Sequence, residues 1–305
     1  MLVLGEERDF SKEELRYIKK QFTSIDFIKY NNVKVETVIF NINASIEKNN
    51  KKLIILNTKA NVKNELLLYL TKLEQEEVNY ISIKNFIESY LYKCYIPTTY
   101  SDISFLENIK PFSKEKKILK FLIDYPISLI ILFLTSPIFL YSIYKIKKES
   151  PGSIIFKQQR IGLNGKEFTC YKFRSMHENS HYDPYTREND SRIYPWGKIM
   201  RKFRIDELPQ LINILKGDMY LIGPRAEWNL LVTEYEVEIP YYHQRHIMKP
   251  GITGWAQVNY SYGANIYDTK QKLMYDLYYI KNWSLWLEIK TIWKTIMVIM
   301  RRKGI

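Results

Sequence analysis

Between Tyr125 and Tyr144 the chain reads YPISLIILFLTSPIFLYSIY, twenty residues without a formal charge, and no other stretch limits the accessible folds so strongly. As a straight helix the run would be about 30 Å long, enough to cross the hydrocarbon of a bilayer. It is too long and too uniformly apolar for an ordinary core helix. Its flanks argue against a simple crossing: Lys114, Lys116, Lys117 and Lys120 precede it, and Lys145, Lys147 and Lys148 follow it. Both ends therefore carry the positive charge that marks a cytoplasmic face. A helix that enters and turns back satisfies both clusters, whereas a span kinked at proline satisfies one. The turn is expected at Ser136-Pro137, where proline withdraws a backbone donor and crowds the preceding turn. The hydroxyls of Thr135 and Ser136 can answer the freed carbonyls there.

The 305 residues suffice for two unequal domains. A net charge of +13 calls for an anionic partner, whether nucleic acid, an acidic membrane surface or a phosphorylated substrate. Cys94 and Cys170 are the only cysteines and stand far apart, which excludes a disulfide framework and a cysteine-based zinc site. The N-terminus, MLVLGEERDFSKEEL, has acidic residues where a signal peptide carries its apolar core, so export is not expected.

Residues 1–110 read as a small α/β unit of Rossmann-like type. SKEELRYIKKQF opens with a capping box, Ser11 with Glu14. VKVETVIF and KKLIILN are rich in β-formers, VKNELLLYLTKLEQE has helical spacing, VNYISI is strand-like and KNFIESYLYKC returns to helix. No GxGxxG follows a strand, which leaves this unit a structural or regulatory role rather than a dinucleotide site. Residues 111–150 form the expected re-entrant hairpin, and 151–305 a mostly helical domain with a short β-hairpin. In that hairpin, PGSIIFKQQRIGLNGKEFTCYKFRSM, the turn at Asn164-Gly165 suits positive φ, and the second strand delivers Lys172 and Arg174. The polar stretch HENSHYDPYTRENDSRIYPWG reads as a loop. His177 and His181 stand four apart within it, but a metal reading is set aside because the segment lacks helical character and a third ligand.

RKFRIDELPQ, residues 201–210, packs Asp206 and Glu207 side by side after three cations. DELPQLINILKGD predicts a helix with Asp206 near its N-cap, Pro209 in the first turn and Gly217 as its stop. The positive end of that helix would keep both carboxylates ionised and attract phosphate. Adjacent anions repel, so Arg201 and Arg204, or a cation such as Mg²⁺, must compensate them. A plain N-cap paired with Lys202 is the bland alternative. DMYLIGPRAE, HQRH and MKPGITGWAQVN add Arg225, Arg245 and Gln257 on Gly/Pro-rich turns able to present contacts to phosphates and a base. In NWSLWLEIKTIWKTIMVIMRRK, Trp286, Ile289, Trp293, Ile296, Met297 and Met300 gather on one helical face, suited to the headgroup layer or to a domain core.

Together YKFRSM, NDSRI, RKFRIDELPQLINILKGDMYLIGPR, KPGITGWAQVN and YDLYYIKNWSLWLEIKTI resemble the bacterial sugar transferase family, monotopic polyprenyl-phosphate phosphoglycosyl transferases akin to undecaprenyl-phosphate hexose-1-phosphate transferases. The resemblance covers roughly residues 114–303. It implies an enzyme of the bacterial inner membrane, at its cytoplasmic face, that moves a sugar 1-phosphate from a UDP-sugar to polyprenyl phosphate with Mg²⁺ and releases UMP. By the same resemblance Asp206 is the nucleophile and forms a covalent phosphosugar, Glu207 assists through metal or proton transfer, and both touch the metal. Lys172, Arg201, Arg225 and Arg245 match the phosphate-binding set, Gln257 a substrate contact and Asp276 a further functional acid. Ala226 replaces the proline usual after GPR, and longer relatives carry spanning helices before the α/β unit. Two other classes compete: a non-catalytic membrane scaffold for glycan-assembly enzymes, and a nucleic-acid binder, for which no fold signature is found. Homo-oligomerisation is compatible with each.

Overall fold

A computed structural model of the protein describes residues 1–5, 10–22, 24–49, 53–57, 62–97, 109–178, 180, 181, 190–260, 263 and 265–300. The chain divides into two compact units, Met1–Tyr95 and Ile96–Ile305.

The first unit alternates strand and helix: β1 (Leu2–Gly5), α1 (Lys12–Gln21), β2 (Asp26–Ile28), α2 (Val35–Asn49), β3 (Leu53–Asn57), α3 (Asn64–Glu74), β4 (Asn79–Ser82) and α4 (Ile83–Leu91). The strands form one all-parallel sheet in the order β2-β1-β3-β4. Ser11 and Glu14 make the capping box expected of them, with Ser11 N–H donating to Glu14 at 2.8 Å. The VKVETVIF stretch departs from expectation: from Val35 onward it is helical, not extended. Its apolar residues Val35, Val38 and Ile42 are buried at helical spacing, and that stripe overrides the β preference of valine and isoleucine. β1 and β2, too short to show alternation, were not foreseen.

In the second unit, before its first helix, Ile109 and Phe112 are buried and Phe112 packs on Trp283, ring centroids 5.2 Å apart. Helix α5 (Lys114–Leu134) and helix α6 (Ser136–Glu149) follow, bent by 59° at Thr135. Among the described residues no single helix is long and apolar enough to cross a membrane, while this bent pair meets the test jointly. Pro137 has no N–H for the Phe133 carbonyl, which accepts instead from Ser136 Oγ at 2.7 Å. Thr135 Oγ1 donates to Ile131 O, also at 2.7 Å.

The hairpin is built inside out. Phe133 is 78 % exposed and Ile118, Leu122, Ile130 and Leu134 are exposed with it, yet Lys120, Asp124, Ser128 and Ser142 are wholly buried. Lys120 corrects the sequence reading, in which it belonged to a solvated flank. Its ammonium lies 3.0 Å from Asp124 and 3.1 Å from Glu288, and donates to the Ile222 carbonyl at 3.3 Å. Asp124 in turn accepts from Leu221 N–H at 3.0 Å, and Glu288 from the Tyr279 hydroxyl and the Trp283 indole. The helix start is thereby keyed into the rest of the unit.

Strands β5 (Ile155–Ile161) and β6 (Glu167–Phe173) form the antiparallel hairpin, with Asn164 and Gly165 at φ 56° and 73° as the turn required. Then come α7 (Pro195–Phe203), α8 (Gln210–Lys216), β7 (Tyr220–Ile222), α9 (Asn229–Glu238), β8 (Gly251–Thr253), α10 (Trp255–Asn259), α11 (Ile266–Lys281) and α12 (Leu285–Met300). β7 and β8 pair in parallel, a two-stranded sheet hidden inside what read as loops. On α12 the tryptophan face is outward, Trp286 71 % and Trp293 63 % exposed, while Glu288 and Thr291 are buried. The terminal arginines of that segment and most of the polar stretch after His181 lie outside the described residues.

Candidate active site

Asp206 and Glu207 occupy one 3-10 turn, Ile205–Glu207, between α7 and α8. α7 starts with Pro195 in its first turn, and its Trp196 N–H donates to Glu149 Oε2 at 2.7 Å. It stops at Arg204, which takes φ 56°. A left-handed arginine costs about 1–3 kcal/mol and persists only where its surroundings hold it. Here Ile205 and Leu208 are held by a core of Ile146, Phe173, Tyr194 and Met200. The chain thus reverses sharply and presents two carboxylates on a short rigid turn. Contrary to the sequence expectation, Asp206 is no N-cap. The α-helix begins at Gln210 after Pro209, because the turn belongs to the end of α7; Gly217 does stop α8, at φ 84°.

The two acids differ sharply in their surroundings. Glu207 is buried, with Oε1 3.3 Å from Lys172 Nζ and 3.6 Å from Arg225 Nη1, and Oε2 3.3 Å from Arg204 Nη1. Burial alone would push its carboxyl up, but Lys172, Arg225 and Arg204 outweigh that and hold it down at about 2. Burial, and then the charge of Glu207, push Asp206 the other way, to about 6, against the pull of Lys172, Arg201 and Arg204. Its Oδ1 is buried and has no hydrogen-bond partner among the described residues. The expectation that a helix dipole keeps both ionised is therefore replaced: cations hold Glu207 ionised, while burial and Glu207 push Asp206 up.

The supporting cations come from distant strands. Lys172 and Cys170 share a face of β6, and Gln158 lies opposite Cys170 in the register, so Arg160 stands on that face too. Arg160, Cys170, Lys172, Gln210, Arg225 and Gly251 line a narrow crevice beside the dyad. Arg160 donates to Ala226 O at 3.0 Å and to Gln158 Oε1 at 2.6 Å, while its Nε is buried without a partner among the described residues. Alternation along the hairpin carried that signal, and the sequence reading passed over it. Arg174, by contrast, faces away and donates to Ser153 O at 2.6 Å and Ser150 Oγ at 3.1 Å, closing the end of α6.

Arg225 is placed by backbone packing. A Cβ on Gly251 would stand 2.1 Å from Gly223 N, and one on Gly254 2.1 Å from Gly223 O. These glycines serve the close approach of β7 and β8, sealed by Gly223 N–H to Thr253 O at 2.9 Å and Gly251 N–H to Pro224 O at 2.8 Å. Behind them, buried Arg245 donates to the Arg225 carbonyl at 2.9 Å, to Asp276 Oδ2 at 2.8 Å and to the Tyr242 hydroxyl at 2.6 Å. Arg245 and Asp276 are thus joined to each other, not to the dyad. Arg201 donates to Ser175 Oγ at 2.9 Å and acts on Asp206 through its charge. Gln257 donates to Ile252 O at 3.2 Å, leaving Oε1 buried and unpartnered among the described residues. His177 packs edge-on against Tyr194, ring centroids 5.7 Å apart.

Among the described residues no group of three or more His, Cys, Asp and Glu side chains converges to hold a metal by itself. Mg²⁺ commonly needs only one or two carboxylates, completing its shell with waters and substrate phosphates. The unpartnered Asp206 oxygen fits that role. Glu207 would join only by exchanging one of its cations.

A family model described as bacterial sugar transferase matches residues 115–302. The chain belongs to the bacterial sugar transferase family. This sugar transferase is 49 % identical over 173 residues to the UDP-N-acetylgalactosamine-undecaprenyl-phosphate N-acetylgalactosaminephosphotransferase of Aeromonas hydrophila, covering 56 % of this chain and 41 % of that protein. It is 39 % identical over 208 residues to the undecaprenyl-phosphate galactose phosphotransferase of Salmonella typhimurium, covering 63 % and 42 %. It is also 39 % identical over 192 residues to the uncharacterized sugar transferase EpsL of Bacillus subtilis, covering 62 % of this chain and 90 % of that protein. The sugar transferase thus spans less than half the length of the first two relatives, and nearly all of the third.

Proposed function

We propose that this sugar transferase moves a sugar 1-phosphate from a UDP-sugar to polyprenyl (undecaprenyl) phosphate at the cytoplasmic face of the bacterial inner membrane, opening glycan assembly. The observation that carries this reading is the asymmetric dyad, a cation-saturated Glu207 beside an Asp206 with an unpartnered oxygen, in a chain of this family. The names of similar proteins cover N-acetylgalactosamine, glucose and galactose, so the donor is proposed as a class.

Asp206 attacks the sugar-proximal phosphorus, and the bond from that phosphorus to the bridging oxygen breaks with UMP as leaving group. A covalent aspartyl phosphosugar remains. An oxygen of polyprenyl phosphate then attacks the same phosphorus and releases Asp206, so the carboxylate is restored and no proton is consumed. Lys172, Arg225 and Arg201 surround the reacting phosphate and lower the repulsion between an anionic nucleophile and a diphosphate. Glu207 tethers Lys172, Arg204 and Arg225 in place, while Arg245 and Asp276 fix the Arg225 backbone as positioning residues. Mg²⁺ held by Asp206 together with the donor phosphates would neutralise the charge that builds on the departing UMP. The bent α5–α6 pair would dip into the membrane and return, with α12 lying in the headgroup layer. The unit Met1–Tyr95 has a structural or regulatory part.

Asp206→Asn tests the central step. Incubated with UDP-sugar, Mg²⁺ and polyprenyl phosphate, the unaltered protein releases UMP, and the variant should lose turnover by about three orders of magnitude or more, as expected when a nucleophile is removed. A fully active Asn variant would take Asp206 out of the nucleophile role. UMP release also eliminates the scaffold reading.

A further inference from the structure

Between α6 and α7 the surface sinks into an open cavity of about 700 Å³. One end is the helix break, Thr135 and Pro137, and the other is Arg204 and Ile205. Along its walls Ile138, Tyr141, Ile199 and Phe203 are each two-fifths or more exposed, and Tyr141 meets Trp196 edge-on with ring centroids 5.0 Å apart. Among the described residues Arg204 is the only charged side chain lining the cavity.

An apolar trough of this size on a protein surface marks a binding site. A trough that ends at one cation has the form of a lipid with an anionic head. The position of that cation selects the lipid. Arg204 is two residues from Asp206 and contacts Glu207 at 3.3 Å, so a head group held there stands at the dyad. A bulk phospholipid has no need of that position; an acceptor phosphate does. A single cation at one end of an apolar lining also matches a hydrocarbon chain that ends in a phosphate. The other end lies at the helix break, the part of the bent pair flanked by exposed Phe133 and Leu134.

We propose that this trough seats the isoprenoid chain of the polyprenyl phosphate acceptor, with Arg204 holding its phosphate beside Asp206. The inference rests on the transferase reading and adds to it an acceptor path separate from the crevice of Lys172, Arg160 and Arg225. Arg204 thereby has two tasks, tethering Glu207 from one side and meeting the acceptor from the other. Its left-handed backbone holds its side chain at the trough end.

Photolabelling tests this without requiring turnover. Full-length protein in phospholipid nanodiscs is irradiated with a diazirine-bearing polyprenyl phosphate, and adducts are mapped by mass spectrometry. Labels should concentrate on residues 135–145 and 196–208. Ile199→Asp should lower that labelling about tenfold, since it sets a charge against a hydrocarbon chain on a wall already part-exposed. Phe203→Asp is the second variant should the first melt early. Unlabelled polyprenyl phosphate should compete about tenfold better than neutral polyprenol, the loss expected for one charge-assisted contact, and Arg204→Gln should erase that difference. Labels spread evenly over α5 and α12, or displaced equally well by a diacyl phosphatidate, would overturn the proposal. Trough labelling without UMP release from any UDP-sugar would keep the lipid site and remove the transferase reading; UMP release without trough labelling would do the reverse.

Discussion

Asp206 and Glu207 share a peptide bond and both are buried, yet they titrate apart because the cations delivered from β6, from the turn after β7 and from Arg204 outweigh burial at Glu207, whereas at Asp206 burial and the charge of Glu207 prevail. On the proposed route Asp206 must be ionised to attack. With its carboxyl raised to about 6, single-turnover UMP release should fall about tenfold per unit below that pH and level off above it. Among the cations Lys172 pulls hardest on Asp206, so Lys172→Met should move the acid limb to higher pH; a limb that stays put would detach Lys172 from Asp206. A carboxylate whose folded value lies above its ordinary one favours folding when protonated and loses that advantage as pH rises through the interval between the two. Asp206→Asn should accordingly raise the melting temperature at pH 7 while it abolishes turnover, the exchange of stability for function seen at strained sites. Adjacency and resemblance made the dyad legible in the sequence. Its asymmetry was not, because it depends on Lys172 and Arg225, whose approach only the tertiary fold creates.

Among the elements, α5, α6 and α12 repeat one pattern, with apolar residues outward and charged or hydroxyl groups inward. Such a surface in water would be a liability of several exposed aromatic and branched side chains. Against lipid it is the stable arrangement. Changing Trp286 and Trp293 together to Glu should therefore move a measurable fraction of the protein from sedimented membranes to the soluble fraction, by about 1 kcal/mol or more per tryptophan in vesicle partitioning. Unchanged partitioning would return α12 to the status of an ordinary packed helix. The hairpin break was readable from Ser136-Pro137, and the β-turn from Asn164-Gly165, since in both places the backbone chemistry is local. α2 was misread because local β preference and helical burial spacing disagreed and the spacing won. The parallel pairing of β7 and β8 was hidden for a different reason: glycine marks both a loop and a close backbone approach, and only the distances of about 2 Å to a virtual Cβ tell them apart.

At the scale of the whole molecule, the family match begins at residue 115, well after the first unit ends at Tyr95. EpsL of Bacillus subtilis, covered over 90 % of its length by the matched part, lacks room for a comparable preceding unit. A protein comprising residues 96–305, which holds the whole of the matched part, should consequently keep UMP release within about threefold of the full chain; loss of activity with retained folding would assign the first unit a direct part in the reaction. The change of texture from Tyr125 to Tyr144 and the rise in motif density after that run are legible in the sequence because both are matters of composition, whereas the division into compact units at Tyr95 depends on packing.

The ammonium of Lys120 stands between two carboxylates and is wholly buried. Removing it as Lys120→Met should cost about 3–5 kcal/mol, because an uncompensated buried charge remains, and thermal unfolding in detergent would register the loss. The apolar helix pair is on this account a keystone of the fold. Attempts to make a soluble enzyme by trimming it would strand Glu288 and loosen Ile222, the residue just before the glycine, proline and arginine that reach the dyad, so solubility and competence would have to be engineered together.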